Sequence, residues 1–106
     1  MSTYDLIRQR RTIRKFQQKK LERSQLERLV EAAGLAPSAS NLQPLKYIIV
    51  GEEEKVAQFF QHVKWAGYIA PEGNPKKGEE PVAYIVILAD TEVRKAGYEL
   101  DAGAAA

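Results

Sequence analysis

Residues 83–89 (AYIVILA) form an unbroken apolar run, which is typical of a strand buried on both faces of a sheet. A second strand is predicted at residues 47–50, where four apolar residues precede Gly51. Two strands alone do not make a stable sheet, so the first run requires further neighbours. We therefore expect those neighbours to come from another chain or from sequence beyond residue 106, which makes this chain an N-terminal fragment.

Three helices are predicted before the apolar run at residues 83–89. Ser2 and Asp5 have the spacing of a capping box for a short helix. A clearer amphipathic helix ends near residue 35, and its start is open because either Glu22 or Ser24 fits the cap. Its apolar face has helical spacing at Leu26, Leu29, Val30 and Ala33. The third follows the glutamates at 52–54, which favour a helix start. It continues at helical spacing through Val56, Phe59, Phe60 and Val63, and it includes His62.

Composition excludes several classes of protein. The chain has 106 residues, enough for one domain spanning residues 1–106. Without cysteine there are no disulfides, thiol nucleophiles or thiolate metal sites, and the single histidine excludes a multi-histidine metal centre within one chain. The longest apolar run is too short to cross a membrane, and the N-terminus has no apolar leader-like region. We therefore expect a cytoplasmic protein without a metal.

The charge distribution suggests an anion site. The net charge is only +2, yet residues 8–20 contain seven cations and no acid. Such a run predicts a phosphate or nucleic-acid site, or it is simply a solvated face. Residues 36–45, held between two prolines, are small and polar. They either let backbone amides approach a ligand or merely connect a helix to a strand. Residues 70–81 are predicted to be a loop, and residues 98–106 to begin another helix.

Two motifs in this order and spacing resemble the flavin-dependent nitroreductase family. They are residues 10–16 (RRTIRKF) and residues 36–44 (APSASNLQP), with one amphipathic helix between them. Residues 64–68, the apolar strand and residues 101–106 add weaker similarity. Leu45 departs from the pattern, which commonly has tryptophan at that position. The family's later strands and C-terminal phosphate-binding cations are also not in this chain.

The resemblance implies an α+β sandwich with a central mixed sheet flanked by helices. Here this fold would be truncated after the strand at residues 83–89 and the start of the central helix. It implies a homodimer with FMN at the subunit interface and NAD(P)H as hydride donor. The electron acceptor would be a nitroaromatic, a quinone or a similar small molecule. The flavin carries the chemistry, so no catalytic side chain is expected.

The resemblance also assigns cofactor-binding residues. Arg10 and Thr12 would face the phosphate and ribityl chain, and Arg14 would face the flavin N1/C2 edge, because guanidinium groups suit both anionic sites. Arg11 shares the motif with a less defined contact. The second motif would lie against the flavin of the partner subunit through Pro37, Ser38, Ala39, Asn41 and Gln43. Trp65 and Tyr68 are candidates for the acceptor pocket.

Two other functions stay open at this point. One is a small basic nucleic-acid-binding module using residues 8–20, although Phe16 is the only aromatic residue in that run. The other is a non-catalytic remnant that still dimerises. The sequence favours the flavin enzyme over both.

Overall fold

The computed structural model describes residues 2–65 and 73–106 of the chain. These residues form four α-helices and a two-stranded sheet, an α+β arrangement. In chain order the elements are α1 (Thr3–Gln9), α2 (Arg23–Gly34), a 3-10 turn (Ala39–Asn41), β1 (Leu45–Val50), α3 (Glu53–Phe60), β2 (Tyr84–Ala89) and α4 (Tyr98–Ala105). None of the helices in the described ranges is long and apolar enough to cross a membrane.

The sheet is an antiparallel pair. Its register joins Leu45 to Ala89 at one end and Val50 to Tyr84 at the other. Because side chains alternate along a strand, Lys46, Ile48 and Val50 share one face of β1. Ile48 and Leu88 on this face are exposed by 49% and 42%. The opposite face, which includes Tyr47 and Ile49, is half-buried.

β2 is less buried than its composition predicts. None of its residues is fully buried, so the expected burial on both faces is not observed among the described residues. The physical reason is that β1 is its only strand neighbour within residues 2–65 and 73–106. Of the expected mixed sheet, the described residues supply this one antiparallel pair.

Helix α2 connects the sheet to the rest of the fold. It contacts both β1 and α4, and its Leu26 is only 5% exposed. A Cβ at Gly51 would lie 3.4 Å from Leu26 Cδ1, so this leucine reaches the end of β1. The helix begins after Glu22, whose N–H donates to the Gln25 side chain at 2.9 Å. This settles the open start in favour of Glu22, and the helix ends where predicted.

The other helices match the prediction in part. Ser2 and Asp5 form the predicted capping box of α1, and α4 begins at Tyr98. α3 ends at Phe60, so the prediction that it continues through His62 and Val63 is wrong. The N–H groups of these two residues instead donate to the carbonyl oxygens three residues before them, which tightens the chain into a turn. His62 is exposed in that turn.

Candidate functional site

The arginine segment, defined as residues 10–15, lies outside the helices and strands and is exposed throughout. It begins at the C-cap of α1, where the Arg10 N–H donates to the Leu6 carbonyl oxygen at 3.1 Å. Within residues 2–65 and 73–106, neither Arg10 nor Arg14 forms an ion pair. Their guanidinium groups are therefore available to an anion from solution.

Arg11 differs from its neighbours because its side chain has partners. Its Nη1 donates to the carbonyl oxygens of Arg8 and Arg10, at 3.0 and 2.8 Å. The carbonyl groups at a helix C-terminus lack partners inside the helix, and Arg11 satisfies one of them. A concavity of about 560 Å³ beside it is lined by Asp5, Arg8, Gln9 and Arg11. Arg11 therefore supports the end of α1, and its cofactor-binding role stays a prediction.

The end of the basic run is fastened to the loop that precedes β2. The Phe16 N–H donates to the Glu79 carbonyl oxygen at 2.9 Å, and Gln18 Nε2 donates to the Glu80 carbonyl oxygen at 2.9 Å. These two bonds join residues more than 60 positions apart. This bond of Gln18 is not predicted from the sequence, because no local pattern identifies a side chain that bonds to the backbone of a distant residue.

The second motif folds into a loop with unusual backbone geometry. Three residues other than glycine have positive φ: Ser40 at 54°, Asn41 at 52° and Gln43 at 51°. Asparagine tolerates this region, but serine and glutamine adopt it at a cost of roughly 1–2 kcal/mol each. Strain of this kind persists only where the surroundings hold the loop, and it is concentrated at functional sites.

Hydrogen bonds and burial hold this loop in place. Ser38 Oγ accepts the Gln43 N–H at 3.0 Å, and Gln43 Nε2 donates to Asn41 Oδ1 at 2.7 Å. Pro44, less than 2% exposed, anchors the end of the loop. Its carbonyl oxygen accepts the Asp90 N–H at 2.7 Å, which continues the pairing of β1 with β2. The predicted site residues Pro37, Ser38, Ala39, Asn41 and Gln43 therefore all belong to one fixed loop.

Trp65 lies in an aromatic cluster. Its ring centroid is 6.2 Å from Phe16 and 6.0 Å from Phe60, and its Nε1 is buried without a hydrogen-bond partner among the described residues. The cluster therefore joins the basic run to α3. Whether Trp65 lines an acceptor pocket stays a prediction, and Tyr68 lies outside the described residues.

Tyr84, at the start of β2, packs against Phe59 with ring centroids 4.6 Å apart. Its hydroxyl oxygen is buried and has no hydrogen-bond partner among residues 2–65 and 73–106. Burial, with a smaller contribution from the nearby charge of Glu80, raises the pKa of Tyr84. The phenol is therefore neutral at physiological pH.

A buried charge pair fixes the start of α4. Arg94 and Asp101 are 15% and 5% exposed at the side chain, with Nε and Oδ2 3.5 Å apart. Arg94 also donates to the carbonyl oxygens of Ala96 and Gly97, at 3.0 and 3.2 Å. Gly97 has φ +79°, and a Cβ there would lie 2.5 Å from Arg94 Nη2. This pair was not identified in the sequence, because it stabilises a turn rather than a motif.

The structure does not join the two predicted cofactor segments directly. No hydrogen bond or ion pair links residues 10–15 to residues 36–44 in the described part of the chain. Each segment is held separately. Residues 10–15 carry exposed cations, of which Arg11 is bonded to carbonyl oxygens, and residues 36–44 form a loop held by its own hydrogen bonds.

Comparisons with known proteins give a consistent result. A family model described as "Nitroreductase family" matches residues 7–105. A curated protein of Archaeoglobus fulgidus, named "Putative NADH dehydrogenase/NAD(P)H nitroreductase", is 30% identical over 90% of this chain and 49% of its own length. A "Putative NADH Oxidase" structure from Clostridium acetobutylicum is 34% identical, with a TM-score of 0.74 over 95% of this chain and 57% of that one.

A third similar protein is described by its cofactor. It is an FMN-dependent nitroreductase from Clostridium difficile R20291, 28% identical, with a TM-score of 0.73 over 97% of this chain and 55% of that one. The chain spans about half the length of the curated relatives it matches, 49% of one and 42% of another. The family match covers nearly all of the chain, including both motifs and the helix and strands around them. The chain belongs to the nitroreductase family.

Proposed function

We propose that this chain forms part of an FMN-dependent oxidoreductase. It would transfer a hydride from NAD(P)H through FMN to a nitroaromatic, a quinone or a similar small acceptor. The observation that carries the proposal is the presence, in one nitroreductase-family chain, of unpaired arginines and a strained, internally bonded loop. The names of the relatives, which include an NAD(P)H nitroreductase and an FMN-dependent nitroreductase, support the same choice of donor and cofactor.

The arginine segment fits the charged end of FMN. A guanidinium group presents parallel N–H donors that match phosphate oxygens, and it stays charged at any physiological pH. Arg10 and Arg14 have no competing carboxylate among the described residues. We assign Arg10 and Thr12 to the phosphate and ribityl chain, and Arg14 to the N1/C2 edge of the ring. Arg11 holds the end of α1 beside them.

The loop at residues 36–44 fits the ring end. Its small side chains, including Ser38 and Ala39, let the backbone approach a flat ligand closely, and Asn41 supplies an amide for hydrogen bonding. The loop is already held by its own hydrogen bonds, so binding costs little additional ordering. A preformed loop is what a planar cofactor requires for orientation.

Bound FMN would supply the hydride chemistry, and the protein would supply orientation, electrostatics and the shape of the pocket. In this scheme Arg14 stabilises negative charge at the ring edge, and the loop fixes the plane of the ring. No acid, base or nucleophile from the chain takes part. The raised pKa of Tyr84 is consistent with this, since its neutral phenol sits in packing against Phe59.

We further propose that the two segments meet across a homodimer, with the loop of one copy facing the arginines of the other. The nitroreductase-family match over residues 7–105, which includes both motifs, supports this arrangement. A cytoplasmic location completes the proposal and stays a prediction.

The test is a titration of free FMN with the full chain, in which binding is measured by the quenching of flavin fluorescence. Wild type is expected to quench saturably. The double variant Arg10→Ala/Arg14→Ala should bind about 100-fold more weakly, because two charge-assisted hydrogen bonds contribute roughly 1.5 kcal/mol or more each. Lys19→Ala/Lys20→Ala is the matched control, since it removes two exposed cations of the same run outside the motif.

Equal losses in the two double variants would contradict the assignment, because they would show a diffuse effect of charge. An absence of quenching by wild type would overturn the flavin function for this chain. In that case, gel filtration showing a dimer would favour the non-catalytic alternative. A salt-sensitive affinity for DNA or RNA would favour the nucleic-acid alternative.

A further inference from the structure

We infer that Gln43 is a positioning residue that fixes which atoms of the Asn41 amide face a ligand. Gln43 Nε2 donates to Asn41 Oδ1 at 2.7 Å, the shortest side-chain hydrogen bond recorded for the described residues. An asparagine amide has one carbonyl oxygen and one NH₂ group. With its oxygen engaged by Gln43, Asn41 offers its NH₂ group to whatever lies in front of the loop.

The backbone supports this orientation. Asn41 and Gln43 both have positive φ, at 52° and 51°, which turns their side chains toward each other across one intervening residue. The Gln43 N–H is held by Ser38 Oγ at 3.0 Å, and the next residue, Pro44, is buried. The backbone of Gln43, from which its side chain reaches Asn41, is therefore held without any ligand.

The consequence is a preference in ligand chemistry, and it rests on the proposed function. A fixed NH₂ group recognises hydrogen-bond acceptors, such as the carbonyl oxygens and unprotonated ring nitrogens of an isoalloxazine edge. A freely rotating amide would accept donors equally well. Gln43 therefore makes the loop selective for an acceptor edge, although Gln43 itself need not touch the ring.

The substitution Gln43→Glu is chosen to reverse the orientation of the Asn41 amide. A carboxylate only accepts hydrogen bonds, so the Gln43→Glu side chain would accept a hydrogen bond from Asn41 Nδ2 and turn the Asn41 oxygen outward. Gln43→Ala removes the bond and leaves the Asn41 amide free. Gln58→Glu is the matched control, because it makes the same charge change at an exposed position of α3.

The first measurement is NMR of the side-chain amides in the full chain without flavin. In wild type, one Gln43 Nε2 proton should be shifted downfield and exchange more slowly than those of Asn41, and Asn41→Ala should abolish both effects. In Gln43→Glu, an Asn41 Nδ2 proton should acquire them. Protection on Asn41 in wild type, or on neither amide, would overturn the inference.

The second measurement is the FMN titration. Gln43→Glu should weaken FMN binding about tenfold and Gln43→Ala about threefold. In Gln43→Glu the hydrogen-bond-accepting edge of the flavin would face the Asn41 oxygen instead of the Asn41 NH₂ group. Binding by Gln43→Glu equal to that of Gln58→Glu would overturn the selectivity. If wild type binds no FMN, the proposed function fails, and the NMR result still decides the orientation of Asn41.

Discussion

The two segments predicted to hold a cofactor differ in what holds them. The arginine segment is exposed at every residue from 10 to 15, and Arg10 and Arg14 have no ion-pair partner in the described ranges. The loop at residues 36–44 has two hydrogen bonds made by side chains, two between backbone groups, three residues at positive φ and a buried proline at its end. One segment presents exposed cations to solution, and the other has a backbone shape fixed by its own hydrogen bonds.

This difference separates two contributions to recognition. Exposed cations attract an anion through a field that salt screens, so their contribution depends on ionic strength. A preformed loop contributes geometry, and its cost is paid in the folding of the chain rather than on binding. Affinity would then come mainly from the arginines, and orientation mainly from the loop. Each prediction below tests one side of this division.

The largest effect should be on salt dependence. Raising salt from about 50 mM to about 500 mM should weaken FMN binding by wild type about tenfold, because the screening length falls below the separation of exposed charges. Arg10→Ala/Arg14→Ala should lose most of this dependence, whereas Asn41→Ala should keep it at lower affinity. Titrations at the two salt concentrations measure both. Equal salt dependence of FMN binding in the two variants would show that the two segments contribute to affinity in the same way.

A smaller effect is expected from the hydroxyl that braces the loop. Ser38→Ala removes the acceptor of the Gln43 N–H and should lower the free energy of unfolding by about 1 kcal/mol. Thr12→Val is the counterpart in the arginine segment, where the Thr12 hydroxyl makes no hydrogen bond among the described residues. It should leave stability unchanged. Urea unfolding measures the two variants, and an equal loss in both would remove the contrast between the segments.

Much of the fold follows from periodicity and local signals. The capping box at Ser2, the end of α2 and the start of α4 are where the sequence predicts them. The errors concern features set by surroundings. α3 ends at Phe60 although the apolar spacing continues, and the apolar run at residues 84–89 is half-buried because it has one strand neighbour among the described residues.

The two motifs predict a set of candidate residues but not how the backbone arranges them. Neither Ser40 nor Gln43 is a residue type that signals positive φ. The bond between Gln43 and Asn41 depends on that backbone, so it is not visible in the sequence. The attachment of Gln18 to Glu80 is likewise a contact between distant residues, which no local pattern encodes.

The smallest expected effect is a change in stability at Ser40, and its sign distinguishes a strained backbone from a flexible one. Ser40→Gly relieves a φ of 54°, worth roughly 1–2 kcal/mol, and adds chain entropy to the unfolded state worth roughly 0.4–1 kcal/mol. The protein should therefore gain about 0.5 kcal/mol. Ser40→Ala, which keeps the strain, should gain nothing. Thr12→Gly has no positive φ to relieve and should lose stability. Thermal unfolding of the three variants gives the signs, and a loss in Ser40→Gly would show that the loop is not strained.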